Sequence, residues 1–111
     1  MIYHKSIGFP AHFRRPVGRF PLHLTDHVKE QSVRRGITLR SHIDFRDLDI
    51  IEAGFEGTRL NHILVRMVHD STNDVCIAIA VNKGRMVAKS AWLCHKFDYH
   101  TTLNESPYAR P

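Results

Sequence analysis

Nine histidines, scattered among sixteen lysines and arginines in 111 residues, are the side chains of this chain best suited to chemistry. The tightest cluster, Cys94, His95, Asp98 and His100, has ligand types that hold zinc. Tetrahedral zinc, however, draws on paired short spacings, and no second pair matches this one. A structural or surface role is therefore expected for the cluster, with no metal and no cofactor. The other chemistry open to such residues is proton transfer next to a phosphate. It needs a group that takes a proton, a cation that stabilises developing charge and a donor for the leaving oxygen. His27, whose unperturbed pKa of about 6.5 allows exchange near neutrality, is the candidate base. Arg34 falls two helical turns further along the same face, and Lys89 lies at the centre of the last apolar segment. His100 or Tyr108 could supply the leaving-group proton. These five form the expected catalytic set.

The elements that must position them begin between Arg59 and Cys94. Asn61 to His69 alternates in polarity, Val75 to Val81 is almost wholly apolar, and Arg85 to Leu93 alternates again. Asp70 to Asp74 and Asn82-Lys83-Gly84 supply the turns, so the spacing predicts a three-stranded antiparallel meander. Alternation in the last strand would put Arg85, Val87, Lys89 and Ala91 on one face and Met86, Ala88, Ser90 and Trp92 on the other. Ile63, Val65, Met67, Ile77, Ile79, Val87 and Trp92 are the expected buried set. Burying both Val87 and Trp92 requires cover on both sides of the sheet or a bulge between them.

Before the meander, Leu24 to Ile37 carries the signals of one short helix: Thr25 as cap, Asp26 in the first turn, Arg34 and Arg35 in the last, and Gly36 as terminator. A second helix is expected from about Phe45 to Ala53, capped by Asp44 and ended by Gly54. The expected fold class is thus α+β, two short N-terminal helices packed on a three- or four-stranded antiparallel meander. A chain of this length makes a single domain over 1–111. Residues 1–21 would be an extended arm, 22–93 the body and 94–111 an irregular tail anchored by Phe97, Leu103 and Tyr108.

The arm has Lys5, Arg14, Arg15 and Arg19 and no acid, interleaved with Tyr3, Phe9, Phe13 and Phe20 and interrupted by three prolines. Proline at that frequency excludes a regular helix. Its aromatics should pack on the body, although such a stretch could also stack bases and neutralise phosphates. With a formal charge of +5, the chain favours an anionic partner such as nucleic acid. Arg14, Arg15, Arg19, Arg35 and Arg85 are the expected contacts. Cys76 and Cys94 fall inside predicted strands and read as buried free thiols of a reducing compartment. The longest apolar run is far too short to span a bilayer, and no leader pattern is present, so cytoplasmic residence is the default expectation.

The helix bearing His27 and closed by Arg34-Arg35-Gly36-Ile37, followed by an acidic segment and antiparallel strands, resembles domains of the ribonuclease toxin superfamily. That group includes RelE-like proteins and colicin-type nucleases. The match runs from about Leu24 to Leu93 and departs from the pattern at Gln31-Ser32, where an Arg-Met pair is usual. The resemblance implies RNA rather than DNA as the partner, with binding or metal-independent cleavage. A second class of function is a non-enzymatic protein that binds and inhibits a nucleic-acid-handling complex. A third is a homodimer formed through an exposed strand edge.

Overall fold

Strand-forming sequence extends well beyond the predicted meander. The computed structural model, which describes residues 1–96, contains seven strands: β1 (Ile2–His4), β2 (Arg19–Leu24), β3 (His42–Asp44), β4 (Leu48–Glu56), β5 (Arg59–Val68), β6 (Asn73–Asn82) and β7 (Arg85–His95). One helix, α1 (Asp26–Arg35), follows β2, and a 3-10 turn spans Phe45–Asp47. All seven strands form one sheet in the order β1-β4-β5-β6-β7-β2-β3. Every pairing is antiparallel except β2 with β7, which is parallel. The expectation of two helices on a three- or four-stranded meander is therefore wrong: the protein is mostly β, a seven-stranded mixed sheet with a single helix.

The second helix fails for a physical reason. Every residue from Ile50 to Phe55 is buried. A helix at the surface would expose one side of that run, whereas a strand covered on both faces buries all of it, and β-branched Ile50 and Ile51 suit a strand. Asp44 does cap, its Oδ1 accepting from the Arg46 amide at 2.9 Å, but what it caps is the three-residue turn. Gly54 ends no helix. It pairs with His62 across the β4–β5 ladder, and a Cβ at position 54 would lie 1.8 Å from His62 Cε1. Gly54 is what allows that imidazole to lie over β4.

The first helix matches its sequence signals. Thr25 Oγ1 accepts from the Val28 amide, and Gly36 closes the helix in the left-handed conformation at φ 67°. Most of the apolar side chains converge on one core. Ile50 from β4 and Ile63, Val65, Ile77 and Ile79 from the meander meet Leu22, Val28, Ile43 and Phe45 from β2, α1 and the β3 region. A sheet whose first and last strands share a core must coil around it. The opposite face carries a smaller buried cluster of Ile51, Leu64, Cys76, Trp92 and Cys94.

Between Ala78 and Ile79 the ladder of β6 with β7 shifts register: Ala78 pairs with Ser90 and Ile79 with Ala88, leaving Lys89 as the extra residue of a bulge. The bulge reverses the phase of β7. Met86, Ala88 and Ala91 all face the main core, while Val87 and Trp92 share the other side. The simple alternation predicted for β7 is thus broken at Lys89. Of the expected buried set, Ile63, Val65, Ile77, Ile79 and Trp92 are buried, and Met67 and Val87 are half-buried.

The arm packs as its aromatics suggest. Tyr3, His12 and Phe13 meet Phe55 with ring centroids 5.8, 4.9 and 5.7 Å away, and Phe20 meets Phe45 at 5.6 Å. Its two ends are strands, since β1 pairs with β4 and β2 begins at Arg19. Pro21 is tolerated there because the ladder with β7 starts one residue later, at Leu22. Cys94 and His95, expected in the tail, belong to β7; the anchors Phe97, Leu103 and Tyr108 lie outside the described residues.

Candidate nucleic-acid interface

Only Leu22, His23 and Leu24 of β2 pair with β7, opposite Met86, Val87 and Ala88. Beyond Ala88 no strand among the described residues pairs with the outer edge of β7, and α1 takes over. Thr25 Oγ1 donates to the Ala88 carbonyl at 3.1 Å. Gln31 Oε1 accepts from the Ala91 amide at 3.1 Å and from Ser90 Oγ at 3.2 Å, and Arg35 donates to the Ala91 carbonyl at 2.6 Å. Three helix side chains thereby replace the missing ladder, which matters because unpaired buried backbone groups are costly. Gln31, one of the two residues at which the chain departs from the toxin pattern, is 5% exposed for this reason.

The same contacts fix where His27 and Lys89 stand. Thr25 and Gln31 are about 9 Å apart along a helix axis, and the backbone they touch runs from Ala88 to Ala91, about 10 Å of strand. The helix therefore follows the strand edge in the same direction. His27 lies between Thr25 and Gln31, Lys89 lies between Ala88 and Ala91, and the two stand level. His27 is four residues before Gln31 and so on its side of the helix, the side that reaches Ser90. Both His27 and Lys89 are exposed. Bulges commonly re-aim a side chain beside a functional site, and here the bulged residue is the lysine.

Other exposed cations lie on the same three elements. Arg19 and His23 are exposed along β2, Arg85 is exposed at the start of β7, and Arg34 is exposed on the side of α1 that carries His27. Four permanent cations, Arg19, Arg34, Arg85 and Lys89, thus face solvent, with Asp26 and Glu30 exposed on α1 and Asp44 directly opposite Arg19 across the β2–β3 ladder. His23 is an addition that sequence reading missed. Its signal was the alternation of Phe20, Leu22 and Leu24 inward against Arg19, Pro21 and His23 outward, obscured by Pro16 and Pro21.

The remaining expected contacts have other work. Arg15 donates to the carbonyls of Phe45 and Leu48 and ties the arm to the body, and Arg14 bonds Ala11 within the arm. Arg19 lies 3.0 Å from His42 Nε2. Arg35 is committed to the β7 edge and not to a ligand. His100 and Tyr108 lie outside the described residues, and among those described no three His, Cys, Asp or Glu side chains are grouped to hold a metal ion. Cys76 and Cys94 are free and buried, with sulfurs 3.3 Å apart, and that contact together with burial pushes the Cys76 thiol far up.

Titration is shaped elsewhere in the sheet. Burial, helped by the Met1 amino group, lowers the pKa of His62. Burial raises Asp74, but hydrogen bonds from Arg66 and Lys96 outweigh it and leave the carboxyl below its usual range. In the β5–β6 turn, Asp70 is held well down by the amides of Thr72 and Asn73.

No protein-family model, curated protein or solved structure matches the chain. Among the described residues no helix is long and apolar enough to cross a membrane.

Proposed function

We propose that the protein binds RNA through the surface made by β2, the outer edge of β7 and α1, and cleaves it there with His27 as base and Lys89 as phosphate-facing cation. The observation that carries this reading is the pairing of Thr25 with Ala88 and Gln31 with Ala91, which sets His27 level with Lys89. In such a reaction the ribose 2′-hydroxyl gives its proton to His27 and attacks phosphorus. Lys89 offsets the added negative charge, and the bond to the 5′-oxygen breaks as that oxygen takes a proton. We assign that proton to His23, which is exposed on the adjoining strand opposite Val87. Net positive charge and the exposed arginines support phosphate binding.

The resemblance to RelE-like and colicin-type nucleases rests on His27 and Arg35-Gly36-Ile37, and the last three have structural tasks. Arg35 caps the strand edge, Gly36 closes the helix and Ile37 is buried. His27 is the one residue of that motif left for chemistry.

The test is cleavage of a labelled RNA pool by purified protein in chelator, beside His27→Ala and Lys89→Ala variants. Each variant should lose at least tenfold in rate while RNA affinity falls steeply with salt. Activity unchanged in the double variant would remove the catalytic reading. Affinity insensitive to salt would point instead to a protein partner.

A further inference from the structure

Two cavities meet on the side of the molecule where the 3-10 turn crosses the end of β5, and they share Asp47, Met67 and Val68 as a common wall. The first, about 430 Å³, opens into the main core between β3 and the start of β6. Its floor is apolar, built from Leu22, Leu39, Ile43, Val75 and Ile77, and its rim is polar, with Arg40, His42 and His69. His69 is held in place, Nε2 facing the Thr38 amide at 3.3 Å and Nδ1 facing the Asp70 carboxylate at 3.2 Å. The second cavity, about 750 Å³, is lined by Lys5, Arg46, Arg66 and Lys96.

Each cation of the second cavity is steadied by a carboxylate: Lys5 by Asp49, Arg46 by Asp44, and both Arg66 and Lys96 by Asp74. Asp74 accepts from Arg66 Nε at 2.9 Å and from Lys96 Nζ at 3.1 Å. With Asp44 counted beside Asp47, Asp49 and Asp74, four carboxylates balance the four cations, and the two more exposed pairs, Lys5 with Asp49 and Arg46 with Asp44, are those in which a phosphate can replace a carboxylate. The turn separates the two chemistries, since Asp44 lines the apolar cavity and Arg46 the cationic one. The Arg46 hydrogen bonds hold the Asp44 carboxyl down to about 2, so the pair stays ionised at neutral pH.

An apolar slot with donors and acceptors at its mouth takes a flat heteroaromatic ring whose edge needs both, and ligand sites are commonly of this size and make-up. A cluster of arginines and lysines next door takes a phosphate. We infer that the joined cavities bind a nucleoside monophosphate, base in the slot and phosphate among Lys5, Arg46, Arg66 and Lys96. The unit can be a free nucleotide or the terminal nucleotide of an RNA. The site is separate from the α1–β7 surface and stands without the cleavage reading.

Backbone amide NMR titration of the intact protein with the four nucleoside monophosphates, the matching nucleosides and inorganic phosphate tests the assignment. At least one monophosphate should shift Leu39, Met67 and Val68 and bind at least tenfold tighter than its nucleoside or phosphate alone. Arg46, exposed and outside the core, can be removed with the fold intact; Arg46→Ala should erase the advantage over the nucleoside. Val68→Trp, which narrows the shared wall, should weaken binding by a further route. A 5′-phosphorylated oligonucleotide competing better than its 5′-hydroxyl form identifies an RNA end as the source, failure of both to compete identifies the free nucleotide, and equal competition by both overturns the inference. No shift at these residues up to millimolar ligand, or a nucleoside binding as tightly as its monophosphate, overturns the inference. Binding that persists in His27→Ala keeps its fate distinct from that of the cleavage reading.

Discussion

The outer edge of β7 is closed in two ways within ten residues. From Met86 to Ala88 it pairs with the backbone of β2; from Ala88 to Ala91 it is closed by the side chains of Thr25, Gln31 and Arg35. The backbone-paired half is indifferent to most side chains and sensitive to anything that breaks a ladder. The side-chain half reverses this, because each bond belongs to a particular residue. A helix can therefore finish an edge that a strand begins, and in doing so it fixes the level at which its own exposed residues stand beside the strand.

Substitutions can break that comparison one half at a time. The Leu22 amide donates to the Ser41 carbonyl on the β3 side, so alternation turns the His23 amide toward β7. His23→Pro should cost on the order of 3 kcal/mol by removing that ladder bond and displacing the backbone, while His23→Ala stays near the parent in urea unfolding. Equal effects of the two would mean that β2 does not hold β7. Gln31→Leu keeps the volume but strips the acceptor from the buried Ala91 amide, at about 2 kcal/mol; faster hydrogen exchange at Ala91 alone, with Val87 unaffected, would localise the loss. Arg35→Ala should cost about 1.5 kcal/mol for its charge-assisted bond. Thr25→Ala should cost about 1 kcal/mol, with Thr25→Ser close to neutral, as for other helix caps.

The smallest effect sharpens the contrast through pH. Thr25 and Gln31 do not titrate, so the α1 closure itself gives no slope. His62 does: its folded pKa lies below the unfolded value of about 6.5. Between those two values the unfolded chain binds more protons, so the stability it contributes is complete above about pH 6.5 and declines as pH falls through that window. Thermal midpoints should drop modestly from pH 7 to 5, and His62→Phe should flatten that slope. A further loss below about pH 4 belongs to Asp74, Asp70 and Asp44, whose depressed pKa values make their contributions present above the unfolded carboxylate value and lost on acidification. That loss should persist in the His62 variant.

The meander and first helix were legible because each rests on local signals: two-residue alternation in β5, polar turns, and caps at Thr25 and Gly36. The strand Leu48–Glu56 was not, since a segment buried on both faces shows no period, and Asp44 and Gly54 resemble helix boundaries until their partners, Arg46 and His62, are known. β1 and β3 are three residues each and depend wholly on the strands beside them. The candidate interface was half legible. His27 and Lys89 could be named from their types, but their shared level depends on Gln31, whose bond to the Ala91 amide has no local signal in the sequence. The second, two-part cavity left no sequence signal, because its walls come from six separate segments.

Lys89 also decides how the chain can change in length. The bulge acts as a one-residue phase slip that lets Met86 and Ala88 on one side of it and Ala91 on the other all face the core. Deleting Lys89 would put the two halves of β7 back in step. Met86, Ala88 and Ala91 would still face the core, because Ala88 and Ser90 already pair with the adjacent residues Ile79 and Ala78; a strand that kept Lys89 without the bulge would instead turn Ala91 outward and Trp92 toward the main core. The Asn82–Gly84 turn is exposed, and an added residue there would change a loop and nothing else. In descendants of this chain, insertions should therefore collect at the tip of the β6–β7 hairpin, and a deletion within β7 should fall at position 89, where it leaves the facing of Met86, Ala88, Ala91 and Trp92 unchanged.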